Sequence, residues 1–288
     1  MVATILAVLS QVYLIFSTMR KKGFRYEFRM DFKDRYLGKA FLFLLPIVIS
    51  VGVNQLNNSI DNAIASTLPA GSIAELNYAY EIVNLFISLF IVAITTVIFP
   101  VLSESHYKKE VEDLNEGIRH GFSTLLVFSI PVAIILMIMA EPIVKIFFER
   151  GAFGWEASFF TSQALVFYAF GLPAMALLPL VTRAYYSIQD MQTPAIISIV
   201  TLVINTILNL TLAPLMGGQG IALATSLATI VAVVIGAVDL NRRLKFARNK
   251  VMENMVMRLI LSSSAMIISI GVVYALISIT TENILLYN

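Results

Sequence analysis

The chain has 288 residues, of which 58% are hydrophobic and only 13% charged, and its mean hydropathy is +0.84. Water-soluble domains carry about 25% charged residues, so this composition excludes an ordinary soluble domain and sets the lipid bilayer as the solvent of the fold. With no cysteine in the chain, disulfide frameworks, thiolate metal sites and cysteine nucleophiles are excluded as well, and the net charge of +2 informs only through its distribution.

Apolar spans occur near 2–18, 40–66, 77–103, 121–140, 157–182, 194–214, 219–239 and 259–280. Each is long enough, or nearly so, to cross about 30 Å of hydrocarbon as a helix. Alternation with period two is missing, which argues against a β-barrel. The chain therefore reads as an all-α polytopic membrane protein with about eight transmembrane helices.

The first span opens at Met1 without the basic flank or small-residue cleavage site of a secretory signal. A helix entering in this way is expected to follow earlier helices, as in the C-terminal part of a longer transporter or a truncated copy. Loop 19–39 mixes eight basic residues with Phe24, Tyr26, Phe28, Phe32 and Tyr36. That mixture suits either an ordinary basic loop or a surface lying on anionic headgroups.

The second span carries Ser50, Asn54, Gln55, Asn57, Asn58 and Asp61, and positions 54, 57/58 and 61 share one helical stripe. Glu81 lies early in the third span, behind Tyr78 and Tyr80. Segment 105–120 reads as a short amphipathic helix; its His106 and His120 lack companions at metal spacing. Segment 141–156, with Gly151, Gly154 and Trp155, reads as re-entrant or interfacial. The sixth span holds Thr201, Asn205 and Asn209, and the seventh Thr225, Ser226 and Thr229. Small-residue pairs such as Ala222 with Ser226 and Gly220 with Ala224 suit close helix contact.

Polar side chains at bilayer depth face a bundle interior or a wet cavity. One carboxylate with amides and hydroxyls is an all-oxygen set, suited to a hard cation such as Na⁺ or to a proton on Asp61. Interhelical hydrogen bonding is the other reading of the same residues. No GxSxG, GxxxxGK[ST], HExxH or CxxC motif occurs, so no enzyme is expected. Nucleic-acid binding has no support, and Gly217-Gly218-Gln219-Gly220 reads as a tight turn.

Of the 20 lysine and arginine residues, 18 fall in 19–39, 104–120 and 240–258 or at Arg183. Only Lys145 and Arg150 lie on the opposite side. Positive residues stay cytoplasmic, which puts both chain ends outside.

Particular strings carry a family resemblance: Asn54-Gln55, Asp61, Gly71-Ser72, Phe99-Pro100, Arg150-Gly151-Ala152-Phe153, Gly171-Leu172-Pro173, and the run Arg183, Tyr186, Asp190, Thr193-Pro194. Together they resemble the MurJ (MviN-type) lipid II flippase family, within the superfamily of drug/sodium antiporters and polysaccharide flippases. The resemblance implies two six-helix lobes and further C-terminal helices. On that pattern, 1–18 is a helix ending a first lobe and 19–39 a basic cytoplasmic loop. Residues 40–239 form the second six-helix lobe, 240–258 a second basic loop and 259–288 an additional C-terminal helix.

The family also implies a function: flipping a polyprenyl-diphosphate-linked peptidoglycan precursor, lipid II, from the inner to the outer leaflet of the bacterial cytoplasmic membrane by alternating access. No cofactor is implied beyond Na⁺ or H⁺ as coupling ion. The implied partners are the lipid-linked precursor, membrane lipid and a first-lobe chain. Asp61, Asn205, Asn209 and Thr225 match positions at which some family members are thought to hold sodium. Asn54, Asn58, Glu81 and Arg183 are the substrate-cleft candidates. Glu81 stands where the family typically has arginine, which reverses the charge there. The alternatives are a flippase or cation antiporter for another substrate of the superfamily, and an inactive fragment or half of a split transporter.

Overall fold

The computed structural model describes residues 2–23, 35–108, 110–151, 153–244 and Ser264. Most of the two basic loops, and the eighth expected span, lie outside the described residues. The chain divides into two units, Met1–Leu42 and Phe43–Asn288. The first holds helix α1 (Val2–Lys21) and the start of α2 (Arg35–Ala65). On α1, Leu9, Val12, Tyr13 and Leu14 are exposed, as suits a helix whose solvent is lipid.

The second unit continues with the rest of α2, then α3 (Ser72–Phe86), a π-helical segment (Ile87–Ile91), α4 (Val92–Tyr107), α5 (Val111–Ile138), α6 (Ala140–Phe148), α7 (Trp155–Ser187), α8 (Gln192–Met216) and α9 (Gly218–Leu244). Four of these, α5, α7, α8 and α9, are long and apolar enough to cross a membrane by length and composition alone. The second and third expected spans are helical too. The third is divided by the π segment into helices of 15 and 16 residues.

The sequence reading differs from the structure at 105–120. These residues are the end of α4, a short connection and nearly the first three turns of α5, not a separate helix. The amphipathic pattern there comes from two helix ends reaching water. The segment expected to be re-entrant or interfacial consists of most of α6 and a tight turn. Phe153 N–H donates to Arg150 O at 3.2 Å, and Gly151 takes a φ of +61° that an L side chain resists.

Helix α7 is the most enclosed span and runs through the middle of the core. At one end, Ala79 and Val83 of α3, Val144 of α6, Leu165 and Ala169 of α7 and Ile221 of α9 form one apolar cluster. At the other, Leu102 of α4, Leu114 and Ile118 of α5, Tyr185 of α7 and Leu240 of α9 form a second.

Small residues make the α7–α9 seam close. A Cβ added at Gly171 would lie 2.8 Å from Ser226 Cα, and the Ser226 hydroxyl donates to Phe167 O at 2.7 Å. Further along, the Tyr185 hydroxyl reaches Gly236 O at 2.9 Å. The α8–α9 hairpin is as tight, since a Cβ at Gly220 would stand 2.6 Å from Leu212 C. Small-residue packing of this kind holds helices together where lipid supplies no hydrophobic drive.

Candidate substrate cavity and cation site

Three helices bring the expected cation set together. Asp61 closes the polar stripe of α2, one turn before the helix ends. Asn205 and Asn209 are buried, at 1% and 0% exposure, on the inner face of α8, and Thr225 lies two turns into α9. Asn209 Nδ2 donates to Asp61 Oδ1 at 2.5 Å and to Asn205 Oδ1 at 2.7 Å. The Thr225 hydroxyl donates to Asp61 Oδ2 at 3.4 Å and accepts from Asn205 Nδ2 at 3.2 Å. Asn57, one turn back along α2, donates to Asp61 Oδ2 at 3.4 Å.

Two acceptor oxygens of this cluster are left without donors. Asn209 Oδ1 and Asn57 Oδ1 are buried without a hydrogen-bond partner. Leaving a buried acceptor unpaired costs about 1–3 kcal/mol. A hard cation would satisfy such oxygens, and one carboxylate with neutral oxygens matches a single positive charge. Among the described residues no group of three or more His, Cys, Asp or Glu could hold a metal, so the set does not resemble a divalent transition-metal site.

The cluster opens onto a cavity of about 560 Å³. Ser50, Asn54, Asn57 and Asn58 line it from α2, Thr182 and Arg183 from α7, and Thr225 and Thr229 from α9. Ser50 and Ser198 hydroxyls share a 2.8 Å hydrogen bond across it, from α2 to α8. Its described lining contains no carboxylate and one formal charge, Arg183. Arg183 Nη1 is buried and has no hydrogen-bond partner among the described residues. Three of the four cleft candidates, Asn54 and Asn58 of α2 and Arg183 of α7, thus line the cavity. Glu81 does not: it is exposed, and its neighbour Tyr80 takes the place at the wall.

Sequence reading missed the knot beyond the cavity. Arg243 Nη1 and Nε lie 2.7 Å from Asp190 and Asp239 respectively. The Tyr185 hydroxyl donates to Asp239 at 2.8 Å, and Thr193 donates to Asp190 through both hydroxyl and backbone N–H. Although partial burial alone would raise it, these hydrogen bonds from Thr193 and Arg243 hold the Asp190 carboxyl below its usual range. The signal lay in the string Asp190, Thr193-Pro194: an Asp just ahead of a helix can accept from the first free backbone N–H groups, here those of Gln192 and Thr193.

A bundle of lipid-length helices around a polar cavity is the architecture of a membrane transporter. Residues 1–287 match the family described as lipid II flippase MurJ. The chain is 31% identical over 215 residues to the probable lipid II flippase MurJ of Vibrio cholerae, covering 75% of this chain and 41% of that protein. It is 28% identical to the one of Rhizobium meliloti, covering 90% and 48%. A solved lipid II flippase MurJ in an inward closed conformation superposes with a TM-score of 0.71 at 27% identity, over 90% of this chain and 53% of that one. A Vibrio cholerae MATE transporter in a bent form reaches 0.70 at 15% identity, over 84% and 55%, a likeness of fold alone. The chain belongs to the lipid II flippase MurJ family, a family of transporters rather than enzymes. It spans about half the length of the curated relatives it matches.

Proposed function

We propose that this chain supplies one lobe of a flippase that carries lipid II from the inner to the outer leaflet of the bacterial cytoplasmic membrane, for peptidoglycan synthesis. The observation that carries this reading is Arg183, a guanidinium with a buried, unpartnered nitrogen in a cavity whose described lining holds no carboxylate. Arginine is the natural partner of a diphosphate, which accepts its parallel N–H donors. The amides and hydroxyls of Asn54, Asn58, Thr182 and Thr229 suit sugar and peptide groups, while the polyprenyl chain stays in lipid.

The opposite wall of the cleft would come from a first lobe, whichever chain encodes it, and rocking of the two lobes would alternate access. Asp61, Asn205, Asn209 and Thr225 would hold the coupling cation, Na⁺ or H⁺, which supplies charge balance for that motion.

The test is rescue of flippase-depleted cells by this chain alone and by this chain with a first-lobe chain. Growth is expected only with both. In that pair Arg183→Ala should cut substrate binding about tenfold to hundredfold, the value of a charge-assisted hydrogen bond of about 1.5–3 kcal/mol, and Arg183→Lys should keep part of it. Undiminished rescue by Arg183→Ala would remove the cavity from the substrate path.

A further inference from the structure

Helix α6 is not used by this reading of the cavity, yet its surface divides into three sectors. At 3.6 residues per turn, Ala140, Val144 and Phe148 fall together, and they face the core: Ala140 and Val144 are buried, and Phe148 packs on Tyr78 with ring centroids 4.6 Å apart. Glu141 and Lys145 come next round the helix and pair with each other at 2.7 Å. The remaining sector holds Pro142, Ile146, Ile143 and Phe147; Ile143 is half-buried against the core, while Ile146 is 79% and Phe147 56% exposed.

This apolar sector continues the exposed flank of α5, where Ile135, Ile138 and Met139 stand outward at the end of a membrane-length helix. Beyond it, Trp155 stacks on Phe159 with centroids 5.7 Å apart at the start of α7, and both rings are exposed. The charges around α6, Glu141, Lys145, Glu149 and Arg150, cancel. An apolar sector contiguous with a lipid-facing span, flanked by an internally neutralised ion pair and an indole, has the chemistry of an interfacial helix.

We propose that α6 is a membrane-surface anchor. It lies in the headgroup–acyl boundary of the leaflet at its end of the bundle, Ile146 and Phe147 inserted and Glu141–Lys145 in water. That leaflet is the outer one in the orientation given by the basic residues. Because the nearby charges cancel, zwitterionic lipid suffices and anionic lipid adds little.

The chain has no cysteine, so single labels are clean. Ile146→Cys, Phe147→Cys, Glu141→Cys and Lys145→Cys, each spin-labelled in the full chain in phosphatidylcholine vesicles, would be read by collision with oxygen and with a water-soluble nickel chelate. Labels at 146 and 147 are expected to favour oxygen and those at 141 and 145 nickel, with little change when phosphatidylglycerol is added. Nickel access at all four positions would show the face in water and overturn the anchor. Loss of both collisions at 146 and 147 would show a protein partner or a second copy covering the face, and would overturn it equally. Neither result depends on whether the cavity binds lipid II.

Discussion

At the scale of the single residue, Asp61 concentrates the energetics of the lobe. Three donors from α2, α8 and α9 converge on its carboxylate, so its charge ties together helices far apart in sequence. A cation held there binds the assembled lobe and not the separated helices. It should therefore stabilise the lobe by mass action, about 2.7 kcal/mol at 100 times its dissociation constant. In detergent, Na⁺ should raise the melting temperature more than K⁺ at equal ionic strength, and Asp61→Asn should erase the difference. Coincident melting curves in the two salts would leave a proton site or interhelical hydrogen bonding, and a pH-dependent shift that vanishes in Asp61→Asn would mark the proton. Asp190 gives a pH signature outside the spans. Its carboxyl is held below the usual range by its hydrogen bonds, so its stabilising share is present above that range and lost as pH falls through the lowered value. The parent chain should thus lose melting temperature on acidification, and Asp190→Asn should show a shallower acid slope.

At the scale of the element, the α7–α9 seam is a close contact between two spans. Gly171→Ala must displace Ser226 backbone, not only a side-chain tip, and overpacking of this kind costs about 1–3 kcal/mol. Gly52→Ala, where an added Cβ meets nothing within 4 Å, serves as the control and should leave the melting temperature level or slightly raised. Equal melting of the two variants would mean that the seam yields easily. Much of this level was legible in the sequence. Run length and hydropathy gave the spans, and the spacing of Asn54, Asn57 and Asp61, with that of Asn205 and Asn209, gave two polar faces. Their convergence on Thr225 is a long-range fact, implied only by the family resemblance. Glu81 shows why: a stripe fixes which residues share a side of one helix, but the rotation of α3 that turns Tyr80 to the cavity and Glu81 away depends on packing against α7. The Arg243 knot was hidden for the same reason, because 50 residues separate Arg243 from Thr193.

At the scale of the whole molecule, the basic residues give an orientation that can be checked directly. Cysteines at Arg25 and Arg248 should be shielded from an impermeant thiol reagent in intact cells, while one at Glu149 should label. Ready labelling at 25 or 248 would invert the topology. The π segment at 87–91 has a further consequence at this scale. A π turn carries one residue more than an α turn, and one residue of an α-helix is about 100° of rotation. The segment therefore works as a phase-setter between the two ends of the lobe. Above it, Ala79 and Val83 are timed to meet the cluster around α6; below it, Leu102 is timed to meet Tyr185 and Leu240. Deleting one residue there would restore a regular helix at nearly unchanged phase and leave Leu102 in its cluster, whereas winding the same residues as α-helix would turn Leu102 by about 100°, so the irregular turn is what lets one continuous screw mesh with two separate sets of teeth.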